Sequence, residues 1–361
     1  MACAPQSSHK ADRWVLGGKA FGTTYQIIAY PVEGIRGNAR TLKTDVEALI
    51  ASFNSSLSTY QADSEISRFN QAPVDTWITV SDRFYHAVTL ARELSDKTHG
   101  QYDITIGALT QLYGFGGGNE PGVAPDAETL AAARELVGYK SLETRKRDDQ
   151  YQLRKAKAII LDVSSISKGQ AVDELAQLLK TRGIKSYLIE IGGEIRVGDS
   201  KPTPTAGDDK EAEWVVAVER PTNQVKQPAK MLALTNHALA TSGEYRNFFL
   251  LPQASGTSNA IKRYSHTIDP RTGDPISLQR DELTKADVLL SVTVVARTCM
   301  LADAWATALN LHDPQTALKL ARQFGINALF IYSSPTVDDR NVAYGFTTSG
   351  DMQSFLVSIE S

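Results

Sequence analysis

The stretch Ile159-Ile160-Leu161-Asp162-Val163-Ser164-Ser165-Ile166-Ser167-Lys168-Gly169 decides the reading of the fold. Ile159 to Val163 is apolar but for Asp162, the pattern of a buried strand. A helix is predicted to start around Lys168, because Ala171, Val172, Leu175, Leu178 and Leu179 recur on one helical face. Gly183 supplies its stop. Tyr187 to Ile191 reads as the next strand, so the segment predicts a βαβ-like unit.

The same order returns toward the C-terminus. Ser291 to Ala296 reads as a strand, Leu301 to Leu311 as a helix, Pro314 to Gly325 as another, and Asn327 to Tyr332 as a strand. The two halves share architecture but no residue pattern. Toward the N-terminus, Gly22 to Tyr30 is the first predicted strand. A helix from about Leu42 to Phe53 follows, with Val46, Leu49, Ile50 and Phe53 at helical spacing. Ser81 caps a helix that ends near Gly100, and Asp126 caps one whose apolar face is Leu130, Ala133, Leu136 and Val137. Asp199 to Glu213 and Gln253 to Lys262 read as exposed loops. Strands and helices mix without strict alternation, which predicts an α+β fold of mixed sheets with packed helices.

At 361 residues the chain is long enough for two lobes, or for one large domain with insertions. Its 42% apolar and 22% charged residues are ordinary for a globular protein. A formal charge of −3 argues against nucleic acid or an anionic membrane surface as a general partner. No apolar run reaches the ~18 residues that a membrane-spanning helix needs. Of the two cysteines, Cys299 falls in an apolar stretch and reads as packing. Cys3, in Met1-Ala2-Cys3-Ala4 before a polar stretch, has two readings. It is what remains of a bacterial lipoprotein signal cut back to its acylated cysteine, or an incidental residue of a polar tail. The first reading places the protein on the periplasmic side of a bacterial membrane, with a tail over 1–17 and the folded domain over 18–361.

Four clusters gather polar residues where strands meet helices, junctions whose backbone N–H groups suit phosphate. Asp162 to Gly169 combines a carboxylate, hydroxyls and an ammonium, which suits a phosphate or a hydrated metal, or a simple helix cap. Glu190-Ile191-Gly192-Gly193-Glu194 allows close backbone approach to a ligand, or merely a tight turn. Tyr264 to Gly273 puts His266 before a turn over Asp269 to Gly273, as a general base or a structural histidine. Ala302-Asp303-Ala304-Trp305-Ala306-Thr307 sets a carboxylate and a hydroxyl one helical turn apart, oxygen ligands for a hard cation such as Mg²⁺ or a capping residue. Zinc spacing is missing, as is a GxxxxGK[ST] loop, and Gly114-Phe115-Gly116-Gly117-Gly118 lacks the strand–loop–helix context of a dinucleotide fingerprint.

In order along the chain, these clusters resemble the ApbE family of FAD:protein FMN transferases. The likeness runs from about Gly18 to Leu356. It includes Phe21-Gly22-Thr23-Thr24-Tyr25, Leu57-Ser58-Thr59-Tyr60 with Asp63 to Asn70, and Tyr102-Asp103-Ile104-Thr105-Ile106-Gly107 followed by Leu112 to Gly116. The Asp162 segment, the Gly-Gly-Glu turn, Thr241-Ser242-Gly243-Glu244-Tyr245, the His266 motif and Asp303 to Thr307 complete the series.

The resemblance implies a T-fold-like α+β domain that splits FAD at its pyrophosphate and esterifies FMN to a Thr or Ser of a client protein, releasing AMP. It implies clients among the flavin-carrying subunits of Nqr- and Rnf-type redox complexes. It further implies that Asp303, Thr307, Ser165 and the carbonyl of Ala306 bind Mg²⁺. Asp162 and Lys168 would contact FAD, and Phe21, Tyr60, Gln101, Tyr102, Asp103, Gly192, Gly193, Ser242, Gly243 and Ile268 would line its pocket. His266 would be the base for the client hydroxyl, with Asp162 and Lys168 completing the catalytic set. The chain departs from the commoner pattern at Phe21, where methionine is frequent, at Ser165 and Ser167, which are often alanine, and at Ala306, where some members carry an acid. The same motifs also serve a Mg²⁺-dependent FAD pyrophosphatase or a non-catalytic FAD carrier.

Overall fold

Every residue from Leu289 to Val295 is buried. Side chains of a strand alternate between its faces, so this strand must be covered on both. The computed structural model describes residues 13–32, 34–35, 37–115, 125–202, 211–221, 227–243, 248–252, 261–278, 288–334 and 343–358. It places Leu289–Ala296 inside an eight-stranded sheet of order Trp14–Ala20, Thr23–Tyr30, Ser186–Ile191, Glu194–Val197, Ala238–Gly243, Leu289–Ala296, Asn327–Ser334 and Ala343–Ser349. All its neighbours pair antiparallel.

Ile27, Ile189, Ala240, Val294 and Phe330 project to one face, against the helices Ala39–Leu57, Asp82–Lys97, Ser164–Thr181, Cys299–Asn310 and Pro314–Gln323. Leu239, Val295, Leu329 and Ile331 project to the other. There they meet Trp214, Val216, Leu232 and Leu234 of a small sheet formed by Trp214–Glu219, Pro228–Leu234 and Leu356–Val357. The molecule is thus a layer of helices, a central sheet and a second sheet, within the predicted α+β class. Two more three-stranded sheets flank it, one over Ile78–Val80, Gln150–Lys155 and Leu142–Arg147, the other over Phe248–Pro252, Ile261–Ile268 and Pro275–Leu278.

The predicted caps form. Ser81 accepts from the Phe84 N–H and Asp126 from Thr129, and Asp313, which was not foreseen, accepts from Thr316. Gly100 and Gly183 take φ of 81° and 84°, the left-handed region that suits glycine after a helix. Three expectations are corrected. Ile159 to Val163 is buried except at half-buried Ile160, but it is not a strand of any sheet, its sole ladder contact being a parallel bridge from Ile160 to Ile106. Its backbone is satisfied otherwise: Asn70 donates to the Leu161 carbonyl at 3.0 Å and accepts from its N–H at 2.8 Å, and Asp162 N–H reaches Ile104 O at 2.8 Å. No βαβ unit forms, and Ser186–Ile191 lies antiparallel to Thr23–Tyr30. The helix also starts at Ser164 rather than Lys168. Among the described residues no helix is long and apolar enough to cross a membrane. Cys3, Gly116 to Gly118, Glu244 and Tyr245, and most of both predicted loops, lie outside the described residues.

Candidate active site

The first two strands are joined by the two-residue turn Phe21-Gly22, between the paired residues Ala20 and Thr23. Both turn residues have positive φ, 51° and 76°, as the tight turn whose twist matches a β-hairpin requires. Phe21 bears that strain with its ring edge-on to Phe53 at 5.3 Å, held at the rim of a large cavity. The cavity measures about 1360 Å³ and lies at the ends of Thr23–Tyr30, Ser186–Ile191 and Ala238–Gly243.

The first turn of the Ser164–Thr181 helix opens into this space. Its N-cap, Val163, makes no side-chain cap bond, and Asp162 serves instead by accepting from the Ser164 N–H at 2.9 Å. Asp162 therefore both caps the helix and lines the cavity. One turn later Lys168 extends its Nζ to Glu194 Oε1 at 2.7 Å. Gly169 gives its N–H to Asp303 Oδ2 at 2.9 Å, across to the Cys299–Asn310 helix. Only glycine fits here, since a Cβ would stand 2.4 Å from the Cys299 carbonyl. At the far end of that contact Asp173 accepts from the N–H groups of Cys299 and Met300, both at 2.9 Å, and pairs with Arg196. The two helices are pinned at both levels.

Burial pushes the Asp303 carboxyl up to about 7, with Lys168 opposing and Glu194 adding to the shift. Lys168 is the converse: burial disfavours its charge, but Asp303 and Glu194 outweigh that and hold it above the ordinary lysine value. Glu194 Oε2 is buried without a hydrogen-bond partner. The cavity wall carries six carboxyl groups, those of Asp103, Asp162, Glu190, Glu194, Glu219 and Asp303, against Lys168 as its one cationic side chain among the described residues.

Those observations bear on Mg²⁺. Among the described residues no group of three or more His, Cys, Asp or Glu is arranged to hold a metal. Asp303 and Thr307 do line the cavity one turn apart, and Ser165 lines it with its Oγ 2.9 Å from the Tyr102 hydroxyl. One carboxylate with hydroxyl oxygens is a hard, incomplete donor set, the kind Mg²⁺ completes with substrate phosphate and water. The acid excess and the raised Asp303 fit a cation. The residues fit the group.

His266 lies on the Ile261–Ile268 strand, exposed, with its ring 6.5 Å from that of Phe115, and it faces the same cavity. The turn after it is tied down by Asp269, which accepts from the Arg271 N–H at 2.8 Å and from Gln101 Nε2 at 3.2 Å. Burial raises the pKa of Tyr102, and that of Asp103 despite N–H bonds from Thr105 and Tyr139. Cys299 is fully buried, and burial drives its thiol well above the ordinary value, so it is packing.

Phe21, Tyr60, Tyr102, Asp103, Asp162, Ser165, Lys168, Gly192, Gly193, Ser242, Gly243, His266, Ile268, Asp303 and Thr307 all meet at the one cavity. Gln101 and Ala306 do not line it. Gln101 is buried and reaches Asp269 and the Leu311 carbonyl, while the Ala306 side chain is 1% exposed in the core. Sequence reasoning did not single out Glu194, which lines the cavity, or Asp173, which braces the two helices behind it. Glu194 stood in view after Gly192-Gly193, yet its partner lies on another element. Asp173, on the cavity-facing helix, carried no local signal beyond its acidity.

The family model described as the ApbE family matches residues 21–330. The FAD:protein FMN transferase of Klebsiella pneumoniae is 33% identical over 322 residues, spanning 88% of this chain and 83% of that protein. The FAD:protein FMN transferase of Vibrio cholerae is 34% identical over 325 residues, spanning 89% and 88%. The solved structure of the flavin transferase ApbE from Vibrio cholerae matches with a TM-score of 0.78 at 32% identity, covering 96% of this chain and 100% of that one.

Proposed function

The chain belongs to the ApbE family, and we propose on that premise that it is an FAD:protein FMN transferase whose phosphate-handling end is the Lys168, Glu194 and Asp303 cluster. The reaction joins a client Ser or Thr oxygen to the FMN phosphorus as the bond from that phosphorus to the bridging pyrophosphate oxygen breaks. AMP leaves with the electron pair of that bond, and the hydroxyl proton passes to His266.

The observation that carries this reading is the convergence of an aromatic rim, a helix N-terminus and buried carboxylates paired to a half-buried lysine on one cavity large enough for a dinucleotide. Asp303 and Thr307, with Ser165, would hold Mg²⁺, which would supply charge neutralisation at the pyrophosphate; Ala306, outside the cavity lining, drops from the set. Lys168 turns from Glu194 to a phosphate oxygen, and Glu194 keeps the ammonium charged and aimed. Asp162 fixes the first turn of its helix, whose N–H groups face the same phosphate. Phe21 and Tyr102 pack on the ring systems. Exposed His266 stands where a client hydroxyl can reach it.

Three further elements belong to the proposal: a lipid anchor on Cys3, a place on the periplasmic side of a bacterial membrane, and clients of the Nqr and Rnf type. The chain's full upstream reading frame tests the anchor. Incubation with FAD, Mg²⁺ and a candidate client domain, followed by flavin fluorescence on a denaturing gel, tests the reaction. A fluorescent client band is expected. Free FMN and AMP without that band would make the protein a pyrophosphatase, and intact FAD a carrier. Turnover unchanged by EDTA would remove the metal.

A further inference from the structure

The residues lining the cavity fall on both faces of the main sheet, which divides the lining into two arms. Phe21, Tyr60, Tyr102, Asp162, Lys168 and Ile268 line one, on the helical side of the main sheet. The other runs over the opposite face, floored by Gln26, Leu188, Glu190, Ile195, Leu239 and Thr241. Ile28, Leu188, Ile195 and Leu239 all belong to the apolar cluster between the two sheets, which fixes the side this floor is on.

The wall of the second arm is informative. Val216, Ala217, Val218 and Glu219 all line it, four consecutive residues of the Trp214–Glu219 strand. Neighbouring side chains of a strand point to opposite faces. Val216 and Val218 are buried between the sheets while Ala217 is exposed on the outer face. A cavity touching all of them therefore runs along the strand's edge and meets its backbone. Among the described residues Trp214–Glu219 is the outermost strand of its sheet, paired to Pro228–Leu234 on its other side. An outer edge offers a row of backbone donors and acceptors to an incoming strand.

We propose that this arm receives the acceptor segment of the client protein, extended and hydrogen-bonded along the Trp214–Glu219 edge. The inference rests on the transferase reading, because only a two-substrate reaction needs both arms. Its occupant follows from continuity: the arm joins the reaction centre past Ser242, Gly243 and His266, so a hydroxyl on a strand laid there is delivered to the base. Main-chain pairing also lets one enzyme accept clients that differ in side chains, while apolar Leu188, Ile195 and Leu239 favour small or apolar residues on the inward positions.

The test uses the full chain with FAD, Mg²⁺ and a synthetic peptide spanning the acceptor threonine of an Nqr-type flavin-carrying subunit. Hydrogen exchange with that peptide is expected to slow the amides of Val216 to Glu219 about tenfold or more, leaving those of Ile78–Val80 unchanged. Gln26→Trp, at an exposed position on the arm, is expected to raise the KM for the peptide about tenfold while the Kd for FAD stays within about twofold. No flavin transfer by the unmodified chain would sink the transferase reading and this proposal with it. Transfer without protection of the strand, and with an unaltered peptide KM in Gln26→Trp, would overturn the docking arm alone.

Discussion

The Lys168–Glu194–Asp303 cluster and the His266 hairpin face one cavity but are built in opposite ways. The cluster lies between two long helices that meet at Gly169, with Asp173 clamping the N-terminal turn of the second. Glu194 and Asp303 are buried and Lys168 is half-buried, and they shift one another's proton affinity. His266 instead rides exposed on a three-stranded side sheet, tied in through Asp269 and its bond to Gln101. The difference fits the two tasks of the proposed reaction. Pyrophosphate charge is best met by dipoles and charges fixed beforehand, away from water. A base that serves a whole protein must remain where that protein can reach it.

Each side of this comparison can be broken separately. The largest effect is expected at Asp303: Asp303→Ala removes the carboxylate proposed to hold the cation and should lower transfer about 10³-fold, read by client flavinylation. A rate within a few-fold of the unmodified enzyme would detach the cluster from the chemistry. His266→Ala should cost about 10²-fold in transfer with FAD affinity retained, seen by titrating flavin fluorescence. If FAD binding falls in step, His266 is a pocket wall and not a base. Gly169→Ala attacks the frame and should destabilise the fold by about 1–3 kcal/mol in urea unfolding, because the helices must part to admit a methyl group. An unchanged midpoint would show that this contact is slack.

The smallest effect concerns the joint between the two regions. His312 follows the Cys299–Asn310 helix, and burial lowers its pKa, helped by Arg271 of the hairpin turn. Its Nε2 is buried without a partner. A histidine whose folded pKa is depressed leaves the unfolded state holding more protons, so stability declines as pH falls through about 6.5. His312→Gln should flatten that slope in melts between mildly acidic and neutral pH, and an identical slope would mean other groups set it.

What could be read in the sequence was local. Caps at Ser81 and Asp126, the glycines after helices, and the turn after His266 depend on a few adjacent residues, and each formed as expected. Ile159 to Val163 misled because an apolar run signals burial, not pairing. Its hydrogen bonds go to Asn70 and to residues near Ile104, remote in sequence. The helix start at Ser164 escaped because Val163 gives no capping side chain. The site divides likewise: Asp162, His266 and the Asp303–Thr307 pair announce themselves by spacing. Glu194 acquires its role only when the sheet carries it to Lys168, and no neighbour in the chain reveals that.

The surplus of carboxyl groups around the cavity has a consequence for what the protein selects. A bare dinucleotide approaching that wall meets like charge, and a bare cation finds too few ligands. Each lacks what the other brings. Affinities joined in this way are reciprocal: whatever factor Mg²⁺ adds to FAD binding, FAD adds to Mg²⁺ binding. On the proposed function, the species recognised is the chelate, and the pocket acts as a coincidence detector for the pair.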